Sequence, residues 1–226
     1  MKRNIELHLF TNSTIYAPNT DIIESTYESF KDVFDNKGTI ATYVWCDPRP
    51  YVDASKKYIN NLMSIFGSDG VSKTRSLSDG YIRSIRESRA DLMIMLEHDW
   101  EFQKERIEHT LDDIADEFDH NKGLMHFRFN RRRNLVKGSD EWISETQGRH
   151  MKYCVTPSLS NNPHIIHRRR YKKSALPCLK VSKGSQGIES TLSRNDDLTG
   201  VLYGPMNHPN TVRHTNGRGE DRKKNR

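Results

Sequence analysis

Cysteine is scarce in this sequence, and apolar residues in general are few. The 226 residues include three cysteines, Cys46, Cys154 and Cys178, an odd number at wide spacing that encodes neither a disulfide framework nor a zinc cluster. A lone cysteine is more often a small buried apolar group than a nucleophile. Hydrophobic residues make up only 34% of the chain, so we expect a thin core beneath a polar surface.

Long apolar runs are missing as well. The longest uninterrupted one, residues 92–96, is far shorter than the ~20 residues that span a bilayer. Lys2 and Arg3 are followed by no apolar segment of the kind found in secretory signals. We therefore expect no transmembrane segment, no secretory signal and a cytoplasmic protein.

Positive charge is present but unevenly distributed. The chain has a formal net charge of +6, and residues 213–226 carry six basic and two acidic side chains, so the rest of the chain is close to neutral. From residue 216 onward there is no apolar anchor, which predicts a basic disordered tail over 216–226. Two further basic clusters, residues 131–133 and 168–173, could meet a phosphate-bearing or acidic ligand or simply face solvent.

Hydrophobic periodicity in the first half predicts three β-α repeats. Alternating or continuous short apolar runs indicate strands, and apolar residues three and four apart indicate helices. The predicted strands cover residues 5–10, 40–45 and 92–96, and the predicted helices cover residues 21–34, 52–66 and a segment capped by Ser78. This order predicts an α/β fold, with a mostly parallel central sheet flanked by helices.

The second half of the chain is less regular. An amphipathic helix at about 107–118 precedes predicted strands at about 124–129, 153–157, 165–167 and 201–203, and a short helix is predicted near 188–193. The length is that of one domain. We therefore interpret residues 1–215 as a single domain.

Polar and acidic residues follow the predicted parallel strands. Such sheets bind ligands at the carboxyl ends of their strands, so residues 11–13, 46–47 and 97–99 should meet in one crevice. Glu97 and Asp99 follow a buried strand, where a charge must be paired or must hold a cation. Carboxylate oxygens suit Mg²⁺ or Mn²⁺, which commonly bridge to substrate phosphates. Taken alone, the two carboxylates could equally belong to a solvated turn or cap the next helix.

Residues 78–102 resemble the central segment of glycosyltransferases with the GT-A fold, in which a capped helix, an Asp-led apolar strand and a D-x-D type acidic motif follow one another. The matching residues are Ser78, Asp91, Leu92, Met93, Ile94, Met95, Leu96, Glu97, His98, Asp99 and Trp100. The resemblance implies that Asp99 binds the Mn²⁺ or Mg²⁺ that carries the diphosphate of a nucleotide sugar. It implies that Glu97 contacts the ribose or a metal-bound water. A Glu at the first position and a His in the middle depart from the commonest motif, which leaves direct contact by Glu97 open.

The same resemblance implies a set of residues on the nucleotide-binding side of the site: Thr11, Asn12, Asp47, Ser78 and His98. The end of the first strand lines the base pocket in this family, and Asp47, at the end of the second strand, would hydrogen-bond the base or the ribose. The resemblance also divides the domain into a nucleotide-sugar-binding half, about 1–102, and an acceptor half, about 103–215. Without it, Asp47 could equally be a turn residue before Pro48.

A second metal ligand and a catalytic base are implied later in the chain. Many members of the family use a late His as a metal ligand, which maps onto His214 or His208, although most single histidines are surface or core groups. An inverting transferase needs a base on the acceptor hydroxyl. Residues 187–190 resemble the Gly-x-Glu element found in several such families, with Glu189 as the base. A Glu in a first helical turn can also be explained by the helix dipole alone.

Two other groups are weaker candidates. Asp140 and Glu141 form a second acidic pair beside Trp142, whose ring could stack on a sugar or pack in the core. The basic cluster at 168–173 could bind a diphosphate leaving group or an anionic acceptor.

The sequence therefore predicts a metal-dependent glycosyltransferase that moves a sugar from a nucleoside diphosphate sugar, with UDP as the expected nucleotide, to a glycan or other hydroxyl acceptor with inversion. Two alternatives stay open. A sugar nucleotidyltransferase is disfavoured because residues 11–19 contain no Gly for a phosphate loop. A basic nucleic-acid-binding protein is disfavoured because no helix-turn-helix, zinc-finger or RNP pattern is present, so we do not expect nucleic acid as a partner.

Overall fold

The computed structural model describes residues 3–12, 17–35, 37–48, 52–134, 144–156, 159–182, 188, 191–192 and 200–215. Its α-helices within these residues are α1 Asp21–Phe34, α2 Val52–Phe66, α3 Leu77–Glu87, α4 Leu111–His120 and α5 Arg168–Ser174. Its β-strands are β1 Ile5–Asn12, β2 Ala41–Asp47, β3 Val71–Lys73, β4 Leu92–Glu97, β5 Trp100–Phe102, β6 His126–Arg128, β7 Ser144–Gln147, β8 Lys152–Thr156, β9 His164–His167, β10 Gly200–Tyr203 and β11 Val212–His214. None of the helices in this part of the chain is long and apolar enough to cross a membrane.

Nine of these strands form one sheet, in the order β3-β2-β1-β4-β9-β6-β10-β8-β7. Strands β9 and β8 run antiparallel to their neighbours, and the other seven strands point the same way. The predicted α/β class with a mostly parallel central sheet is confirmed. Strands β5 and β11 pair with each other in a separate antiparallel sheet of two strands.

Helices cover both faces of the large sheet, and side-chain alternation along each strand decides which helices its residues meet. On one face, Leu7 and Leu9 of β1 pack with α1, α2 and α4. On the other face, Phe10 of β1 and Met93 of β4 pack with α3 and α5. Because β4 is covered on both faces, its first five residues are all apolar and buried. Cys46 lies in this core, and burial raises the pKa of its thiol to about 12, as expected of an apolar packing group.

Helix α3 begins earlier than predicted. The Oγ atom of Ser76 accepts a hydrogen bond from the backbone N–H of Asp79 at 3.2 Å, so Ser76 is the N-cap residue. The prediction that Ser78 caps this helix is wrong. Ser76 and Ser78 flank Leu77, and either hydroxyl suits a cap on composition alone, whereas only Ser76 has the extended backbone of the cap position.

Short strands account for most of the differences from the predicted elements. β3, β5, β7 and β11 have three or four residues each, too few to establish an alternating pattern. β3 lies within the predicted loop 67–76 and extends the parallel sheet at its edge. The helix predicted at about 107–118 and the four strands predicted in the second half are confirmed near their positions as α4, β6, β8, β9 and β10. Half of the helix predicted near 188–193, namely residues 189, 190 and 193, and all of the tail at 216–226 lie outside the described residues.

The basic cluster at 168–173 forms helix α5. Its position follows from β9, which runs antiparallel to β4 and places His167 opposite Leu92 at the amino end of that strand. Arg168 donates to the carbonyl of Ile85 at 3.1 Å. Arg170 donates from Nη1 to three carbonyls around the end of α4, those of Phe118, Asn121 and Leu124. The prediction of a diphosphate or acceptor role is therefore wrong for Arg168 and Arg170, which bind backbone at the edge of the sheet opposite residues 97–99.

A buried carboxylate organises the hairpin of β7 and β8. Glu117 of α4 is fully buried, and its oxygens accept hydrogen bonds from the backbone N–H groups of Arg149 at 2.8 Å and His150 at 2.6 Å. Gly148, which precedes them, has no room for a side chain. A Cβ atom there would overlap the Glu117 carboxylate and lie 2.7 Å from Cε1 of Tyr153.

We expect Gly148→Ala to lower the free energy of unfolding by about 1–3 kcal/mol, the usual range for forcing extra atoms into a packed interior. The fully buried Glu117 carboxylate cannot move away without breaking its hydrogen bonds with the backbone N–H groups of Arg149 and His150. Urea denaturation followed by circular dichroism measures the change. Gly70→Ala is the matched control, because a Cβ at Gly70 meets its nearest neighbour at an ordinary 3.4 Å. Equal effects of the two substitutions would contradict this description of the hairpin.

Candidate active site

The carboxyl ends of three adjacent strands form the candidate site. In the parallel register, Asn12 of β1 lies opposite Asp47 of β2, and Phe10 of β1 lies opposite Glu97 of β4. The backbone N–H of His98 donates to the carbonyl of Phe10 at 2.9 Å, which continues the pairing past the end of β4. The predicted convergence is therefore confirmed for residues 11–12, 47 and 97–99, while residue 13 lies outside the described residues.

Asp99 is the most unusual group in this site. It is only 9% exposed, and its Oδ2 atom lies 3.2 Å from Nε2 of His214. Its Oδ1 atom is buried and has no hydrogen-bond partner among the described residues. Burial alone would raise the pKa of Asp99, but the hydrogen bond from His214 and the nearby charges of His98 and His214 outweigh burial and lower it. The side chain is thus held as a carboxylate with one unsatisfied oxygen, an arrangement that costs free energy unless a ligand occupies it.

His214 reaches Asp99 because β11 pairs with β5. The antiparallel register sets His214 opposite Trp100, and the two rings meet edge to face with centroids 4.6 Å apart. The backbone N–H of Thr215 donates to the carbonyl of Asp99 at 2.8 Å, which joins the residue after β11 to the residue before β5. Of the two predicted histidines, His214 is therefore the one beside Asp99. His208 instead lies 3.0 Å from the carbonyl of Arg106 through Nε2.

Hydrogen bonds between Asn130 and Thr211 hold β11 in this position. Both residues are buried. The Thr211 hydroxyl donates to Oδ1 of Asn130 at 2.6 Å, and the backbone N–H of Thr211 donates to the carbonyl of Asn130 at 2.8 Å. The Thr211 carbonyl accepts from the N–H of Gln103 at 2.8 Å. Sequence analysis missed Asn130 and Thr211, since isolated polar residues that pair over a long sequence separation leave no local pattern.

Asn12 and Asp47 lie side by side at the ends of β1 and β2, where both residues are half-buried. Thr11 differs from them, because its side chain lies on the opposite face of β1. Its Oγ1 atom is 2.6 Å from the hydroxyl of Tyr58 in the core. Of these two neighbouring residues, Thr11 therefore directs its side chain into the core, and Asn12 has its side chain on the other face of β1.

Glu97 is held by a residue that sequence analysis did not find. The side-chain amide of Asn161 donates to Oε1 of Glu97, which brings the segment before β9 to the end of β4. Below it, Tyr81 and His164 are buried and their OH and Nε2 atoms are 2.6 Å apart. Burial, together with the charges of Tyr171 and Glu97 and the hydrogen bond with Tyr171, raises the pKa of Tyr81 well above its usual value. Tyr81 is therefore a neutral hydrogen-bonding group beneath Glu97.

Ser78 and His98 make structural contacts at the edge of the site. The Ser78 hydroxyl, which is 1% exposed, accepts from the N–H of Ser182 at 2.9 Å and donates to its carbonyl at 3.2 Å. This ties α3 to the chain that follows α5. The carbonyl of His98 accepts from the hydroxyl of Thr26 at 2.6 Å, and burial lowers the pKa of the His98 ring. His98 therefore anchors the acidic segment to α1, and Ser78 anchors α3.

The predicted catalytic base cannot be placed in this geometry. Glu189 lies outside the described residues, and so do Asp140, Glu141 and Trp142. Their roles stay predictions from the sequence.

The residues at Asp99 fit a divalent cation. An unsatisfied carboxylate oxygen and an imidazole nitrogen are suitable ligands for Mn²⁺ or Mg²⁺. No group of three or more His, Cys, Asp or Glu side chains that could hold a metal ion occurs in the part of the chain that the structure describes. Asp99 and His214 would therefore be two protein ligands, and oxygens of water and substrate would complete the coordination, as Mg²⁺-type ions usually require.

A cavity of about 450 Å³ lies elsewhere, at the amino ends of the strands. Arg3, Asp91 and His167 line it, and Arg3 donates to the carboxylate of Asp119 through Nε at 3.0 Å. None of the predicted site residues contributes to this cavity.

Comparison with known proteins identifies the fold. No protein-family model and no curated protein sequence matches the chain. Among solved structures, residues 1–349 of TarS from S. aureus align with a TM-score of 0.55 at 10% identity, over 94% of this chain and 61% of that TarS fragment. GalNAc-T7, solved with UDP, GalNAc and Mn²⁺, aligns with a TM-score of 0.59 at 9% identity, over 93% of this chain and 44% of GalNAc-T7. The fold is of the GT-A type. The chain spans about half the length of these two proteins.

The buried histidine beneath Glu97 gives the protein a defined response to acid. His164 is completely buried, and burial lowers its pKa to about 4, against about 6.5 in an unfolded chain. Between these two pH values the unfolded chain binds a proton that the folded protein does not. The contribution of His164 to the free energy of unfolding is therefore fully present above about pH 6.5 and is lost as the pH falls towards 4.

We expect this single group to remove about 3 kcal/mol of unfolding free energy between pH 6.5 and pH 4. His164→Gln should make the loss shallower, whatever its effect on stability at pH 7. Urea denaturation at a series of pH values measures the slope. The exposed His120 provides the control His120→Gln, which should keep the wild-type slope. Identical slopes for wild type and His164→Gln would show that His164 titrates normally.

Proposed function

We propose that this chain is a metal-dependent glycosyltransferase that moves a sugar from a nucleoside diphosphate sugar to a hydroxyl acceptor. The observation that carries the proposal is the buried, unsatisfied Oδ1 of Asp99 beside His214, at the carboxyl end of a central strand of a GT-A fold. A sheet of this kind binds its ligands at that edge. The presence of UDP, GalNAc and Mn²⁺ in the GalNAc-T7 structure supports the choice of donor and metal, and we propose a UDP-sugar here.

Asp99 and His214 would hold the Mn²⁺ or Mg²⁺ ion. When bound, the ion would neutralise the charge that develops on the departing nucleoside diphosphate. The protein's part is to keep the two ligands in place before the ion arrives, through the pairing of His214 with Trp100 and the bond from Thr215 to the Asp99 carbonyl. A rigid pair of ligands on strand ends suits a site that must orient a diphosphate.

The nucleoside and sugar would lie across the ends of β2, β1 and β4. Asn12 and Asp47 are adjacent there and offer an amide and a carboxylate for the base or the ribose. Glu97, oriented by Asn161, would accept hydrogen bonds from ribose or sugar hydroxyls. Thr11, Ser78 and His98 would act indirectly, by fixing the strand end and the acidic segment.

For the transfer itself we propose Glu189 as the base, on the sequence pattern of residues 187–190. Its carboxylate would take the proton of the acceptor hydroxyl as the acceptor oxygen bonds to the anomeric carbon. The bond from that carbon to the phosphate oxygen breaks, and the nucleoside diphosphate leaves with the electron pair. Attack from the face opposite the leaving group inverts the anomeric configuration. The acceptor, a glycan or another hydroxyl compound, would enter from the side of residues 103–215.

A thermal-shift series tests the proposal. UDP, GDP, CDP and ADP are each added with and without Mn²⁺ to wild type, Asp99→Asn and His214→Ala. The control variant is Asp69→Asn, whose carboxylate is exposed and precedes the amino end of β3, away from the carboxyl ends of the strands. We expect UDP to raise the melting temperature of wild type and Asp69→Asn only with Mn²⁺, because a ligand at a hundred times its Kd adds about 2.7 kcal/mol of stability. Asp99→Asn and His214→Ala should lose that response.

Two outcomes would contradict the proposal. If no nucleoside diphosphate stabilises wild type with or without metal, the acidic segment is structural. If stabilisation by UDP and Mn²⁺ survives in Asp99→Asn, the metal lies elsewhere.

A further inference from the structure

Arg131 lies next to the candidate metal site. It is exposed, and its guanidinium carbon is 5.6 Å from the centre of the Trp100 ring. The same ring contacts His214 at 4.6 Å. These two contacts place the guanidinium of Arg131 within about 10 Å of the His214 ring, and Trp100 directly follows Asp99 in the chain.

The backbone that carries Arg131 is fixed from both sides. Asn130 before it is bound to Thr211, and its amide also donates to the carbonyls of Arg132 at 2.9 Å and Pro209 at 2.8 Å. Asn134, three residues after Arg131, is 2% exposed, and its amide donates to the carbonyls of Tyr203 at 3.0 Å and Pro205 at 2.8 Å, among others. Arg131 is therefore an exposed cation on a rigid turn.

Arg131 has neither an acidic partner nor a backbone acceptor among the described residues, unlike Arg213 and Arg133. Arg213 pairs with Glu101, and Arg133 donates to the carbonyl of Asn207 at 3.2 Å. Among the described residues, no carboxylate within ion-pair distance of Arg131 is found; its contact is with the face of Trp100. A cation over an aromatic face keeps its N–H donors directed outward, where they can bind an anion.

The charge at the site favours an anion-binding role. A divalent ion offsets only part of the charge of a nucleoside diphosphate, and the carboxylate of Asp99 adds a further negative charge next to it. A planar guanidinium can donate two parallel N–H bonds to phosphate oxygens. Arg131 is exposed, and its guanidinium lies over the Trp100 ring, which also contacts His214.

We propose that Arg131 binds the diphosphate of the donor from the side of Trp100, as a further binding residue beside Asp99 and His214. This inference rests on the proposed function. The same chemistry would suit a phosphate group on an acceptor, and the experiment separates the two sources.

The test is isothermal titration calorimetry of wild type, Arg131→Ala, Arg131→Lys and Arg132→Ala. Arg132→Ala is the matched control, since it removes the same charge from the next exposed position. With UDP and Mn²⁺, we expect Kd to rise about tenfold in Arg131→Ala and to change less than about twofold in Arg132→Ala. Arg131→Lys should be intermediate, because it keeps the charge and loses the paired donors. The Kd values for pyrophosphate with Mn²⁺ should increase in the same order among the variants.

Ionic strength gives a readout that a structural role would not change. The difference between wild type and Arg131→Ala should shrink as salt rises from about 0.05 M to about 0.5 M, because the screening length falls about threefold over that range. The melting temperatures of the ligand-free variants should match, as usual for exposed substitutions.

The outcomes separate this inference from the proposed function. Binding of UDP and Mn²⁺ to wild type with equal Kd values in Arg131→Ala and Arg132→Ala would overturn the role of Arg131 alone. No binding to wild type would overturn the proposed function. Inorganic phosphate without metal is titrated into the same variants. A loss of binding in Arg131→Ala that is seen only with this ligand would assign Arg131 to an acceptor phosphate and overturn its assignment to the donor.

Discussion

The paired hydrogen bonds between Thr211 and Asn130 determine where the last described strand lies, and the rest of the site depends on that position. Both side chains are buried, so breaking one bond leaves polar groups without water or partner. A buried hydrogen-bond network of this kind favours one register of β11 against β5 over registers shifted by a residue. Through it, β11 meets β5, His214 meets Asp99, and Arg131 is held above Trp100.

Most of the first half of the fold could be predicted from the sequence, and the candidate site only in part. Continuous apolar runs and helical spacing identify β1, β2, β4 and the helices around them, because burial on one or two faces leaves a repeated local signal. The acidic residues at the end of β4 could be predicted as site residues, because a charge at the end of a buried strand must be paired or must hold a cation. His214 could be named only through family resemblance, and the choice between it and His208 needed the structure.

The remaining features have no local signal. Asn161, Asn130 and Thr211 act through partners distant in the chain, and single polar residues in loops do not show which partner they will meet. Strands of three residues cannot display alternation. The confusion of Ser76 with Ser78 has the same origin, since composition locates a helix start only to within one or two residues. The misassignment of Arg168 and Arg170 shows that arginines in a dense basic cluster can bind backbone carbonyls of their own chain.

The pairing of β11 with β5 has a consequence for how tightly a cation can be held. His214 lies on a strand of three residues that is joined to β5 along one edge in the two-stranded sheet. If Asp99 and His214 hold the cation as proposed, separation of that strand would remove one of the two protein ligands, and the apparent affinity would scale with the fraction of molecules in which the strand is docked. Substitutions in β11 that never touch the ion or the nucleotide could thereby tune the concentration of metal at which the site fills.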